Sequence, residues 1–240
     1  MCGIIGFIGK DDAVNYITDG LTILENRGYD SAGVATLAPD GRITLSKFAS
    51  GEGADAITHL KRVADRHVGH LLGIGHTRWA THGAKTDANA HPHFDAKKQV
   101  AVVHNGVITN YATLKEQLQQ QGVVFVSQTD TEVIAQLIGV ALDRGLEITE
   151  AVRDALQKLE GTWGLAIISP LLPDGIIVAK NGSPIVIGVA EDKAFVASEP
   201  VAFGTSTRDF IALQNGEIAI VRTNREGLDL TRVEKAAEEI

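Results

Sequence analysis

Apolar residues recur along the chain with two different periods, and the switches between them mark the elements. Cys2–Gly9 (CGIIGFIG) is an unbroken run of small and β-branched residues and predicts a buried strand at the start of the chain. Asp11 or Asp12 then stands where a helix N-cap belongs. Val14, Ile17, Leu21 and Leu24 follow at three- and four-residue spacing, and Gly28 ends the helix. Ala32–Leu37 and Arg42–Phe48 read as strands around Pro39-Asp40-Gly41, a hairpin signal. Ile57, Leu60 and Ala64 mark a second helix. Gly73–Thr77 and Val100–His104 are strand-like, and the polar loop between them, Arg78–Lys98, carries His82, His91 and His93.

Beyond it, Asn110 caps a short helix through Leu114 and Leu118, ended by Gly122, and Val123–Val126 reads as a strand. Thr129 and Glu132 have capping-box spacing ahead of Ile134, Leu137, Ile138 and Ala141. Thr149 stands at the cap of another helix, with Val152, Ala155 and Leu159 inward. From Thr162 the period shortens to strands: Leu165–Ser169, Gly175–Lys180, Ile185–Val189, Ala194–Ser198, Phe210–Leu213 and Glu217–Arg222, with turns at Asn181-Gly182 and Asn215-Gly216. Gly182-Ser183-Pro184 belongs to such a turn rather than to a phosphate loop. Hairpin-joined strands with helices in blocks predict an α+β protein. Two stacked, mainly antiparallel sheets with helices outside would cover every apolar face.

Composition narrows the class. The 240 residues, 44% hydrophobic, can bury a sizeable core, and the length permits one large domain or two small ones. A net charge of -8 argues against a general grip on nucleic acid or on an anionic membrane. With one cysteine there is no intrachain disulfide and no cysteine-based metal cluster, and a reducing cytoplasm is the natural compartment. The apolar run Ile4–Ile8 has no basic region before it and falls far short of the ~20 residues of a membrane span, so neither a signal peptide nor an anchor is expected. Val233–Ile240, charged and alanine-rich, reads as the start of a linker.

Candidate chemistry begins at Met1-Cys2-Gly3. Removal of the initiator methionine would leave a first residue that carries a thiol and an α-amine of reference pKa about 7.7–8.0, a nucleophile and a base on one carbon. Taken alone, a single cysteine is more often a small buried hydrophobe. Asn105-Gly106 at a strand end is more often a hairpin turn, and it can also supply a pair of donors, one side-chain amide and one backbone N–H, to a developing oxyanion. Arg78 can clamp a carboxylate bidentately or pair on the surface. Asp130 suits a helix first turn, and could also hold an ammonium. One arginine and one aspartate match the two ends of a free amino acid. His76, His82, His91 and His93 lack a regularly spaced acidic or cysteine partner, so hydrogen bonding within loops is expected of them and no metal.

Several strings together resemble a family: CGIIG, RGYDSAG (Arg27–Gly33), HTRWATHG (His76–Gly83), NAHPH (Asn89–His93), HNG (His104–Gly106), TDTE (Thr129–Glu132) and GSPIVIG around Ser183. They resemble the N-terminal glutaminase domain of the glutamine–fructose-6-phosphate aminotransferases, members of the class II, N-terminal-nucleophile amidotransferases. The resemblance runs from Cys2 to about Val221. It implies an αββα sandwich, Cys2 as nucleophile, and Asn105 and Gly106 as the oxyanion hole. It also implies that Arg78 and Asp130 bind the glutamine α-carboxylate and α-ammonium, that Thr81 and His82 line the pocket, and that Trp79 sits on a loop that closes over glutamine. L-glutamine is the implied substrate, with no cofactor. The implied partner is a C-terminal sugar-phosphate isomerase domain, joined beyond residues 233–240, through which a homodimer could form. Asn26 stands where tyrosine is common, and Thr109 and Gln128 where glutamate is common. A class II domain that serves another acceptor would lack RGYDSAG. A glutamine sensor without catalysis would have no use for Cys2, Asn105 and Gly106 together.

Overall fold

The computed structural model describes residues 2–222 except 52 and 80–82. Thr81, His82 and the 233–240 segment therefore lie outside the described residues. In chain order the elements are β1 (Gly3–Ile8), α1 (Ala13–Ile23), β2 (Ser31–Leu37), β3 (Ile43–Ala49), α2 (Ala56–Arg62), β4 (Leu72–Arg78), β5 (His93–Phe94) and β6 (Ala101–Ile108). They continue with α3 (Tyr111–Gln120), α4 (Thr131–Asp143), α5 (Ile148–Leu156), β7 (Gly161–Ile168), β8 (Gly175–Asn181), β9 (Val186–Val189), β10 (Ala194–Ala197), β11 (Asp209–Ala212) and β12 (Ile218–Arg222).

The strands form a seven-stranded sheet, β11-β9-β10-β1-β4-β2-β3, and a five-stranded sheet, β12-β8-β7-β6-β5. Every ladder between them is antiparallel. Side-chain alternation explains the layers. In β1, Ile4 and Ile8 join Ile74, Val103, Ile168 and Val178 in the core between the sheets. Ile5 and Phe7 point the other way, against Ile17, Leu21 and Leu60 of the first two helices. On the second sheet, Val102, Leu165, Ile167 and Ile177 face Ile134, Ile138 and Val152 of the later helices. The result is helix, sheet, sheet, helix, as the apolar pattern predicts.

This architecture brings distant segments together at one end. Gly3 pairs with Thr77, which sets Cys2 beside Arg78 in the middle of the larger sheet. In the other sheet β6, paired between β7 and the edge strand β5, carries Asn105 and Gly106, and the start of α4 carries Asp130. Gly33 admits the histidine loop, because a Cβ there would lie 2.1 Å from the His91 carbonyl oxygen.

Some local expectations change. Asn105-Gly106 does not turn the chain, since β6 continues to Ile108 with Gly106 opposite Trp163. Residues 123–126 form no strand. Their backbone is held instead by the fully buried Glu132, whose carboxylate accepts from Val126 N (2.9 Å), Ser127 N (2.6 Å) and Ser127 Oγ (2.5 Å). The capping box is therefore absent, because Glu132 is engaged with those groups and Thr129 Oγ1 with His93 Nε2 at 2.9 Å. Asp12 does precede α1, but its side chain accepts from Gly69 N at 2.7 Å rather than capping the helix. The last of these helices starts after Glu147, so Thr149 lies inside it.

Candidate active site

A cleft of about 290 Å³ opens where the two sheets meet, and Cys2, Arg78, Trp79, Gly106, Gln128 and Asp130 are among its walls. Cys2 is partly buried and is the free cysteine of the chain. Its sulfur receives the Trp79 backbone N–H at 3.3 Å, and its thiol points toward the Trp79 carbonyl at 3.8 Å. Burial raises the Cys2 pKa above the ordinary cysteine value. The Trp79 N–H and the charge of Arg78 pull it down, and Asp130 pushes it up. The resting thiol is thus protonated at neutral pH, and attack by it requires a base.

Asn105 is held from both ends of its amide. Its Nδ2 donates to the Cys2 carbonyl at 2.9 Å, and its Oδ1 lies 3.1 Å from His76 Nε2. The next residue, Gly106, has φ 136, and a Cβ there would lie 2.0 Å from the Thr162 carbonyl oxygen. Only glycine fits that backbone and that space, and Gly106 lines the cleft.

The charged groups stand on separate elements. Arg78 closes β4, is 5% exposed and donates from Nη1 to the Ala84 carbonyl at 3.3 Å. Burial holds its pKa below the ordinary guanidinium value, with Cys2, Asp30 and Asp130 acting against that shift. Asp130 stands at the start of α4, and its Oδ2 accepts from Ile108 N at 2.9 Å. That bond ties it to the strand carrying Asn105 and Gly106.

Behind the cleft, four buried histidines form a polar layer. His76 and His91 stack with centroids 4.1 Å apart, and His93 meets His91 edge-on at 4.7 Å. His104 Nε2 donates to the Thr162 carbonyl at 3.2 Å, so its Nδ1 accepts from Thr131 Oγ1 at 3.0 Å. Thr131 in turn accepts from His91 Nε2 at 2.7 Å. Burial pushes the pKa of His76 down to about 3 and lowers those of His91, His93 and His104. These neutral rings bond hydroxyls, backbone carbonyls and the Asn105 amide oxygen, and so tie strands β4 and β6 to the loop of His91 and to α4. Among the described residues, no group of three His, Cys, Asp or Glu side chains is placed to hold a metal ion.

The cleft can therefore bind a zwitterion and present a thiol to it. A family model described as glutamine amidotransferase domain matches residues 76–205, more than half of the chain. The chain belongs to this family. Glutamine–fructose-6-phosphate aminotransferase of Pseudomonas aeruginosa is 47% identical over 226 residues, covering 92% of this chain and 36% of that protein. The enzyme of the same name from Bacteroides thetaiotaomicron is 40% identical over 242 residues, covering 99% of this chain and 39% of that protein. The chain thus spans well under half the length of these curated relatives. Among solved structures, glutamine phosphoribosylpyrophosphate amidotransferase from B. subtilis superposes with a TM-score of 0.79 at 29% identity, over 100% of this chain and 50% of that one. The fold is that of the N-terminal-nucleophile amidotransferases.

Within this glutamine amidotransferase domain the cleft gathers Cys2, Gly106, Arg78, Asp130 and Trp79, and Asn105 is buried next to it, bonded to the Cys2 carbonyl. Trp79 is 43% exposed and meets Tyr29 edge-on at 5.4 Å. Thr81 and His82 lie outside the described residues. The sequence pattern alone does not reveal that Thr109, Tyr111 and Gln128 also line the cleft. Gln128 Oε1 accepts from Ala84 N (3.3 Å) and Asn89 Nδ2 (3.1 Å). The signal for Thr129 and Thr131 is their alternation around Asp130: both hydroxyls turn inward to the histidines while the carboxylate faces the cleft.

Proposed function

We propose that this chain hydrolyses the side-chain amide of L-glutamine through a thioester on Cys2. The observation that carries the reading is the convergence of Cys2, Gly106, Arg78 and Asp130 on one cleft, with the Asn105 amide bonded to the Cys2 carbonyl beside it. Arg78 holds the α-carboxylate and Asp130 the α-ammonium, with Thr81, His82 and the Trp79 segment completing the pocket. With Met1 removed, the α-amine of Cys2 takes the thiol proton, directly or through water. The thiolate adds to the amide carbon, and the oxyanion is held by Asn105 Nδ2 and the Gly106 N–H. The tetrahedral adduct collapses as the amine returns a proton to nitrogen, so ammonia leaves and a γ-glutamyl thioester remains. Water, deprotonated by the same amine, adds to the thioester carbonyl, and the thiolate departs to leave glutamate.

The relatives named for fructose 6-phosphate support a finer reading. The ammonia goes to a sugar-phosphate isomerase domain that follows this one, making glucosamine 6-phosphate, and any homodimer forms through that domain. A working thiol at Cys2 suits the reducing cytoplasm.

The test is glutamate release from glutamine. The Met1-free chain should turn over, and Cys2→Ala should lose all activity together with thiol labelling. A preparation shown by mass to retain Met1 should be close to inactive, since an amide nitrogen is no base near neutral pH. Glutamate release by Cys2→Ala at the parent rate would sink the mechanism.

A further inference from the structure

We infer that His76 is a positioning residue for the oxyanion hole: its neutral Nε2–H tautomer locks the Asn105 side-chain amide in the one orientation that turns its NH₂ toward Cys2. The inference rests on the glutaminase reading above.

His76 Nε2 lies 3.1 Å from the His104 carbonyl oxygen and 3.1 Å from Asn105 Oδ1. Both partners only accept, so Nε2 must carry the proton. Once Oδ1 is occupied, the Asn105 NH₂ has to face the opposite way. There Nδ2 gives one hydrogen to the Cys2 carbonyl at 2.9 Å, and its second hydrogen is left for a substrate oxygen. A flipped amide would set NH₂ against the His76 N–H and its oxygen against the Cys2 carbonyl oxygen, two repulsions in a buried place. The His76 ring is itself 0% exposed, and its Nδ1 has no hydrogen-bond partner among the described residues, as an unprotonated nitrogen allows. The face of His91 stacks on it and fixes the ring plane. Bonding to the carbonyl of His104 as well, His76 sets the backbone that leads into Asn105 along with its side chain. Burial keeps the ring uncharged over the working range, so the lock is not released by ordinary changes of pH.

Three measurements test this. Nitrogen NMR of the parent chain should show His76 at neutral pH with Nε2 protonated and Nδ1 bare. An Nδ1–H tautomer would overturn the inference, whatever the activity. In kinetics, His76→Leu should lower kcat about 10–100-fold, in the range set by losing an oxyanion donor or its support. KM for glutamine and the rate of Cys2 alkylation by iodoacetamide should stay within about twofold, because neither needs the hole. His76→Gln, whose Nε2 can stand near the imidazole Nε2, should recover most of kcat. Parent-like kcat in His76→Leu would overturn the inference, as would a His76→Gln that folds with parental alkylation yet is no better than His76→Leu. A parent chain that releases no glutamate would refute the glutaminase reading, while the tautomer measurement would still stand as its own test.

Discussion

At the scale of single residues, the site combines groups that each need the others. Burial holds the Cys2 pKa up and Arg78 lowers it, and in the proposed reaction Arg78 also binds the substrate carboxylate. That second role depends on the planar fork of the guanidinium, which meets two carboxylate oxygens at once, whereas an ammonium is a point charge. Arg78→Lys should therefore raise KM for glutamine about tenfold or more, the scale of one charged hydrogen bond, with a smaller change in kcat. Glutamine analogues without the α-carboxylate should lose this difference between parent and variant. Steady-state kinetics decide it, and equal KM values in parent and variant would move the carboxylate site away from Arg78.

At the scale of elements, the positions around the site are set by buried polar bonds that cross between segments. Glu132 in α4 is fully buried, and three donors from Val126 and Ser127 converge on its carboxylate. Ser127 Oγ is 3.2 Å from Thr129 Oγ1, which bonds His93, so this carboxylate anchors the approach to Asp130. In Glu132→Gln an NH₂ group would face backbone N–H donors. The loss should be about 2–4 kcal/mol. That corresponds to a fall in Tm of roughly 5–10 °C for a chain of this size. Thermal unfolding at pH 7 checks it, and an unchanged Tm would mean that the segment is held by its apolar contacts alone. Lys47 of β3 is a second such anchor. Its ammonium donates to the carbonyls of Ala88 (3.2 Å), Ala90 (2.7 Å) and Pro92 (3.2 Å), which pins the loop bearing His91 and His93.

Across the whole molecule, the buried histidines make stability depend on pH. Burial pushes His67 down to about 4 and His76 to about 3, and lowers His91, His93 and His104 as well. In the unfolded chain these rings titrate near 6.5. Below that pH the unfolded state binds more protons than the folded state. Stability is thus fully present above about pH 6.5 and is lost as pH falls toward the folded-state values, at about 1.4 kcal/mol per pH unit for each proton taken up only on unfolding. Urea midpoints should be flat from pH 7 to 8 and drop steeply from pH 6 to 4. A midpoint at pH 4.5 equal to that at pH 7 would mean that the histidines are solvated rather than buried neutral.

The layers of this fold were legible in the sequence because apolar periodicity is a local property. Ile4, Ile5, Phe7 and Ile8 announce a strand buried on both faces, and Val14, Ile17, Leu21 and Leu24 a helix with one apolar stripe. The CGIIG, HTRWATHG, HNG and TDTE strings likewise marked Cys2, Arg78, Asn105, Gly106 and Asp130, which the fold brings to one end of the two sheets. The tertiary structure alone decided what buried polar groups do. Asn105-Gly106 carries a turn signal, yet pairing of β6 with β7 extends it into a strand, because a ladder eight residues long outweighs a local preference. Thr129 and Glu132 have capping-box spacing, yet once buried their oxygens serve His93 and Ser127. Nor does any local pattern show that His76 orients Asn105, 29 positions away in the chain. A polar group removed from water must find a partner, and which partner is within reach depends on how the two sheets stack.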